Sequence, residues 1–444
     1  MSKKLILFVA LMSLALVGSS FAAVENIKVS GDIQSSAITR NFDLGGNTGI
    51  DQEDFFFSQI RLRFDADLTE GVSAVVQLIN ERVWGAEDTY NDNEQIELDL
   101  AYVQLNEFLY QPLTVKIGRQ NLYFGNGLIV GDPNTNRLVS KTADSENTPA
   151  FADLSLKKSF DAVRSTLDYA PYTIDMIYAK VRENDTYKRD DITLWGTNVA
   201  YDWASYNGIT EGYFFATDGR TNLQEAEDQD YTYTVGGRVQ MDPNDNITLG
   251  LEGAYQFGDA NSAYGDNSED EHLSAFAGQF MSEYRFLNDY NAKIGASFTY
   301  LSGNDDDNGD YNAWDPLFED QTPAEIINIL FANTNMMYTT LSGSMMPRED
   351  VTLGLSWTWA KLAENLTTDT TIVPPSGSAA YGNTYSVDRD KTEIGNEVDA
   401  YALYDYTEDV QIKLTGAWFM PGNLFADAND DMAYSLRAGI NVDF

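Results

Sequence analysis

From Ile27 the chain alternates, with Lys28, Ser30, Asp32, Gln34 and Ser36 on one face and Val29, Gly31, Ile33 and Ala37 on the other. This period of two marks a β-strand with one apolar side. It recurs where Ser58, Ile60, Leu62, Phe64, Ala66 and Leu68 oppose Gln59, Arg61, Arg63, Asp65 and Asp67. It recurs again at the end of the chain, where Met432, Tyr434, Leu436, Ala438, Ile440, Val442 and Phe444 oppose Ala433, Ser435, Arg437, Gly439, Asn441 and Asp443. A last strand ending on an aromatic residue would leave a bare edge in a soluble sheet. Pairing with the first strand removes that edge and closes a cylinder.

Short connections at Thr69–Gly71, Phe108–Pro112, Ala170–Tyr172, Ala204–Gly208, Asp242–Asn246, Leu287–Tyr290, Pro347–Asp350 and Thr407–Asp409 alternate with long polar ones. The alternation predicts an all-β, transmembrane antiparallel β-barrel of about 18 strands, with short periplasmic turns and long extracellular loops. Lys3 and Lys4, the apolar run Leu5–Val17 and the small residues up to Ala23 read as a signal peptide over residues 1–23, leaving 24–444 as a single barrel domain in a bacterial outer membrane. Outer-membrane lipid and the outer-membrane assembly machinery are the partners such a chain requires. One loop departs from coil. Thr322-Pro323-Ala324-Glu325 reads as a capping box with Pro at the first helical position, followed by Ile326, Ile327, Ile329 and Leu330. This helix either folds into the lumen as a constriction or packs on neighbouring loops.

Composition narrows the chemistry. Hydrophobic residues make up 43%, yet mean hydropathy is −0.34, as expected when the lipid face is spread over alternate residues. Aromatics, 13% of the chain, gather near strand ends as interfacial girdles would. There is no cysteine, which removes disulfides, thiolate metal sites and cysteine nucleophiles. The single histidine, His272, lacks the oriented partners of an acid–base pair, so the reading is not an enzyme. A formal net charge of −41 excludes nucleic acid as a partner.

Against that acidic total, the scarce cations fall on the lumen face: Arg61, Arg63, Lys116, Arg164, Arg238, Lys293, Lys413 and Arg437, with Glu252 among the acidic residues there. Arginine holds carboxylates bidentately, so this lumen suits an acidic sugar polymer. The same residues could instead pair with lumenal Asp and Glu and fill space. Asn304, Asp306, Asn308, Gly309 and Asp315 follow part of a calcium-loop spacing, which makes Asp306, Asn308 and Asp315 candidate calcium ligands in a chain that otherwise needs no cofactor.

The run Lys116-Ile117-Gly118-Arg119-Gln120-Asn121-Leu122-Tyr123-Phe124-Gly125 resembles the G-R-Q segment of the alginate-export outer-membrane porin family. So do Ser159–Arg164, Glu252–Gly258, Ser302–Asp305 with Trp314–Phe318, and Ile394–Glu397. The resemblance implies a monomeric eighteen-stranded barrel conducting an anionic polysaccharide such as alginate, with Arg119 and Arg164 among the polymer contacts. A general or cation-selective diffusion porin, and a closed structural barrel with calcium-binding surface loops, stay open as alternatives.

Overall fold

The computed structural model describes residues 26–45, 52–85, 95–134, 152–183, 191–219, 230–259, 272–304, 310–366, 371–372 and 385–444. The signal-peptide segment lies outside them. The strands in chain order are β1 (Asn26–Asn41), β2 (Glu53–Thr69), β3 (Val72–Val83), β4 (Glu97–Leu105), β5 (Leu113–Asn121), β6 (Ser159–Tyr169), β7 (Tyr172–Arg182), β8 (Ile192–Trp203), β9 (Gly208–Gly219), β10 (Asp230–Asn244), β11 (Ile247–Asp259), β12 (His272–Arg285), β13 (Lys293–Leu301), β14 (Met336–Arg348), β15 (Val351–Leu362), β16 (Thr371–Ile372), β17 (Tyr385–Ser386), β18 (Glu393–Asp405), β19 (Val410–Pro421) and β20 (Ala433–Asp443). All but the loop pair β16–β17 belong to one 18-stranded antiparallel sheet.

The sheet closes on itself because β1 pairs with both β2 and β20, in a register that runs from Asp32 opposite Asp443 to Asn41 opposite Tyr434. Beyond that ladder Gly31 and Phe444 exchange both backbone hydrogen bonds at 2.9 Å. A Cβ at Gly31 would run into the Arg61 carbonyl and the Phe444 ring, so the closing seam requires glycine there. The barrel sheet leaves no open edge for another chain to pair with.

Alternation sorts the side chains as the sequence indicates. Val29, Ile33, Ile60, Leu251, Phe280, Leu355, Leu414 and Ile440 are exposed on the outer face. Their lumen-facing neighbours Gln59, Glu252, Gln256, Gln279 and Thr358 are buried. Several expected girdle aromatics face outward, including Phe56, stacked on Trp84 with ring centroids 5.1 Å apart, whereas Phe55 turns inward.

The apolar core lies inside the barrel. After β5 the chain folds inward over 122–134, and after β13 it does so again over 310–335. Leu122, Phe124, Leu128, Ile129 and Val130 of the first segment pack with Trp314, Leu317 and Phe318 of the second. Backbone bonds zip the two together: Gly131 N donates to Phe318 O at 2.7 Å, Phe318 N to Ile129 O at 3.1 Å, and Asp320 N to Gly127 O at 2.8 Å. Fully burying each large apolar side chain contributes about 1.5–3 kcal/mol, so these segments are held inside mainly by apolar burial.

Loop lengths place the short turns in the periplasm. A cysteine introduced at Asp245 or Glu408, both exposed on short turns, should stay unlabelled when a membrane-impermeant maleimide is added to intact cells. One at Ala428, exposed in the long connection between β19 and β20, should react. Labelling of the two turns alone would invert the orientation.

Candidate functional site

The second inward segment carries a single helix, α1 (Glu325–Leu330), with Ile326, Ile327, Ile329 and Leu330 buried. It departs from the capping box expected at Thr322. The N-cap is Ala324, which has no side-chain hydrogen bond, and Pro323 precedes the helix instead of opening it. The cap comes from the wall. Glu397 on β18 accepts from Ile326 N at 2.6 Å and Ile327 N at 2.7 Å, through its two carboxylate oxygens. Thr358 on β15 donates to Pro323 O at 3.1 Å, and Ser435 on β20 donates to Glu325 at 2.8 Å. The helix therefore docks on the lumen wall while its loop also packs on the 122–134 segment, combining the two arrangements considered for it. In the sequence Glu397 stands out only as the last residue of the Ile394–Glu397 string that carries the family resemblance.

The first segment is tied to a different stretch of the wall. Glu252 on β11 is buried and accepts from Asn126 N at 2.9 Å and from the Tyr213 hydroxyl at 2.8 Å. Lys158 donates to Asp320 at 2.5 Å. Burial beneath the packed loops pushes the Glu319 carboxyl up to about 8, although Asn333 donates to it at 2.6 Å, and pushes Asp132 up to about 6. Because both values lie above the ordinary carboxylate range, the packed loops gain stability as pH falls through about 8 and then about 6.

Below the packed loops, toward the periplasmic turns, lie most of the expected cations. Arg61 donates to Asp32 at 2.7 Å, Arg63 to Asp65 at 2.7 Å, Arg164 to Asp175 at 2.7 Å and Arg238 to Glu211 at 2.7 Å. These four are charge-compensated in the manner of space-filling pairs. Lys116, Lys413 and Arg437 differ: among the described residues none has a carboxylate at ion-pair distance. Lys116 lies over the Tyr102 ring at 4.6 Å, beside Arg164 and Arg63. Lys413 and Arg437 stand together, with Glu325 of α1 acting on both and Asp153 on Arg437, and Ser36 accepts from Arg437 at 3.0 Å. Lys293 stands at the periplasmic rim, its Nζ 3.8 Å from Glu283.

Arg119 requires a correction. Ile117 and Val163 beside it are exposed to the outside, whereas Gln120 and Phe160 are buried toward the lumen. Arg119 shares the parity of Ile117, so it lies on the outer face, 3.2 Å from Asp161 of the neighbouring strand. The resemblance located the motif; β5 alternation decides which of its residues reach the lumen. Of the calcium candidates, Asp306 and Asn308 lie outside the described residues. Asp315 is enclosed by the inward loops, and its Oδ1 accepts from Leu317 N at 3.0 Å.

Sequence reading missed Arg40, which continues the lumen face of β1. It is buried between Glu53 at 2.8 Å and Asp153 at 3.0 Å, with its guanidinium over Phe42 and Phe55.

A sequence model of the alginate-export family matches residues 27–438. No curated protein matches the sequence. Solved structures that resemble the fold include Pseudomonas aeruginosa OccK5 (OpdH), at 11% identity over 96% of this chain and 100% of that one, with a TM-score of 0.56. OccK2 (OpdF) of the same organism, in complex with glucuronate, aligns at 10% identity over 95% of this chain and 98% of that one, with a TM-score of 0.56. Acinetobacter baumannii OccAB4 aligns at 10% identity over 96% and 100%, with a TM-score of 0.54. At such identities the likeness is one of fold.

Proposed function

The chain belongs to the alginate-export family and forms an outer-membrane channel barrel, and from that premise we propose that it conducts an anionic polysaccharide such as alginate, entering from the periplasm. The observation that carries the reading is the uncompensated cation set Lys116, Lys413 and Arg437 in the periplasmic half of the lumen. The protein as a whole has 69 Asp and Glu against 28 Lys and Arg, so cations with no carboxylate at ion-pair distance among the described residues stand against the general trend. A carboxylate solute supplies the missing counter-charges, and several weak, spaced contacts let a polymer advance without being trapped.

The inward loops fill the extracellular half and act as the gate such a route needs. The channel works as a monomer, its closure complete within one chain, and is inserted by the outer-membrane assembly machinery. It needs no bound cofactor.

Current block by a short oligouronate in planar bilayers tests the solute class. Lys116→Gln with Lys413→Gln should raise the half-blocking concentration by about tenfold or more, since each charge-assisted hydrogen bond contributes about 1.5–3 kcal/mol. Block that is unchanged in the double variant, or absent in the unaltered protein, overturns the polyanion reading.

A further inference from the structure

A cavity of about 310 Å³ lies at mid-height between the inward loops and the wall formed by β12, β13 and β14, and its chemistry differs from that of the basic chamber. Its lining includes Tyr123, Asn126, Gln279, Ser297, Thr322 and Asp320. Amides and hydroxyls dominate. Asp320 is the one charged residue among the lining residues, and Lys158 holds its Oδ1, leaving Oδ2 without a hydrogen-bond partner among the described residues.

The amides are locked in place. Asn126 donates to Gln279 Oε1 at 3.2 Å, Gln279 donates to Gln321, and Gln321 donates to Asn126 O at 2.5 Å. Gln279 is buried, so this network is a fixed surface. In contrast, the Ser297 and Thr322 hydroxyls, which border the same space, have no hydrogen-bond partner among the described residues.

Tyr123 supplies a flat apolar surface beside these polar groups. Gly127, at φ +71, and Gly131 leave room for its ring, because a Cβ at either would press on the ring at 2.9 Å and 3.3 Å respectively. Tyr123 as a whole is nonetheless 50% exposed. A hexopyranose presents matching features: a face of C–H groups for an aromatic ring, and rim hydroxyls that both donate and accept. The volume lies at the lower end of the roughly 300–1,000 Å³ typical of small-ligand pockets.

We propose that this cavity is a saccharide subsite that takes an uncharged pyranose unit, with the ring face on Tyr123 and the hydroxyls on Thr322, Ser297, Gln321 and Asp320 Oδ2. With Asp320 paired to Lys158 the cavity lining carries no free charge, so it offers a uronate no counter-charge, whereas the cation set below does. The solute that uses both regions is a heteropolymer, or a sugar with separate hydroxyl-bearing and acidic parts. This inference rests on the channel reading and adds to it a second, neutral specificity.

The test is single-channel recording of the full-length barrel with a neutral glucose oligomer, a polyethylene glycol of matched size and an oligouronate added in turn. The neutral sugar should interrupt the current at a concentration about tenfold lower than the glycol does. Tyr123→Ala should remove that advantage, and Thr322→Val, which preserves side-chain volume, should weaken it several-fold. Reversal potential in the same bilayers should not change with either variant, so failure of the basic chamber and failure of this subsite are read separately. Equal interruption by sugar and glycol, sugar block unaffected by Thr322→Val, or loss of oligouronate block in Thr322→Val would each overturn the proposal.

Discussion

Glu397→Leu should convert a rarely open channel into one that opens at least about tenfold more often, without loss of the assembled barrel. Glu397 lies on the lumen face of β18 and accepts from Ile326 N and Ile327 N in the first turn of α1. Leucine leaves Ile326 N and Ile327 N buried without partners, at a cost of about 1–3 kcal/mol each, and about 1.4 kcal/mol is already a tenfold change in population. The apolar contacts of Ile326, Ile327, Ile329 and Leu330 remain, so the helix should still visit its docked position. The barrel ladder does not depend on Glu397, and heat-modifiability in outer-membrane fractions should be preserved. Glu397→Gln, which keeps one carbonyl acceptor, should fall between the two. If open probability in planar bilayers is the same for all three, α1 is not the gate.

Fold and site differ in how much of them can be read from sequence, and the reason is physical. Strand alternation is a local property, so β1, β2 and β20 could be assigned face by face, and the closing pair of β1 with β20 followed from it. The inward loops are held by tertiary contacts between distant stretches: Gly131 with Phe318, Glu252 with Asn126, Glu397 with Ile326. No local pattern encodes these. The apolar helix after Pro323 was legible as a helix, but its cap was not, because the capping carboxylate comes from a strand far along the chain. Arg119 shows the opposite case. A motif resemblance named the residue, and the parity of Ile117 and Gln120 placed it on the outside. The lumenal cations were legible by parity, and so was the same-strand pair Arg63–Asp65, whereas the split between Arg61, Arg164 and Arg238, paired across strands, and uncompensated Lys116, Lys413 and Arg437 depends on which carboxylates the barrel register brings alongside.

On the proposed reading, that split should set the ion selectivity. Charges in a confined lumen act through a lower effective dielectric than charges on loops in bulk water, and loop charges are screened over roughly 8 Å at physiological salt. The acidic surplus of the chain should therefore dominate at low salt and fade as salt rises, leaving the lumenal cations in control. Removing a compensated pair, Arg61→Gln with Asp32→Asn, leaves the local charge unchanged and should leave selectivity in place. Removing uncompensated charge, Lys116→Gln with Lys413→Gln, should shift it toward cations.

Reversal potential across a planar bilayer, measured under a fixed salt gradient at increasing mean salt, tests the channel account most directly. The account predicts a progressive shift toward anion preference that survives loss of the Arg61–Asp32 pair and disappears in the Lys116→Gln, Lys413→Gln variant. Cation preference at every salt concentration, unchanged by the lysine substitutions, would contradict it.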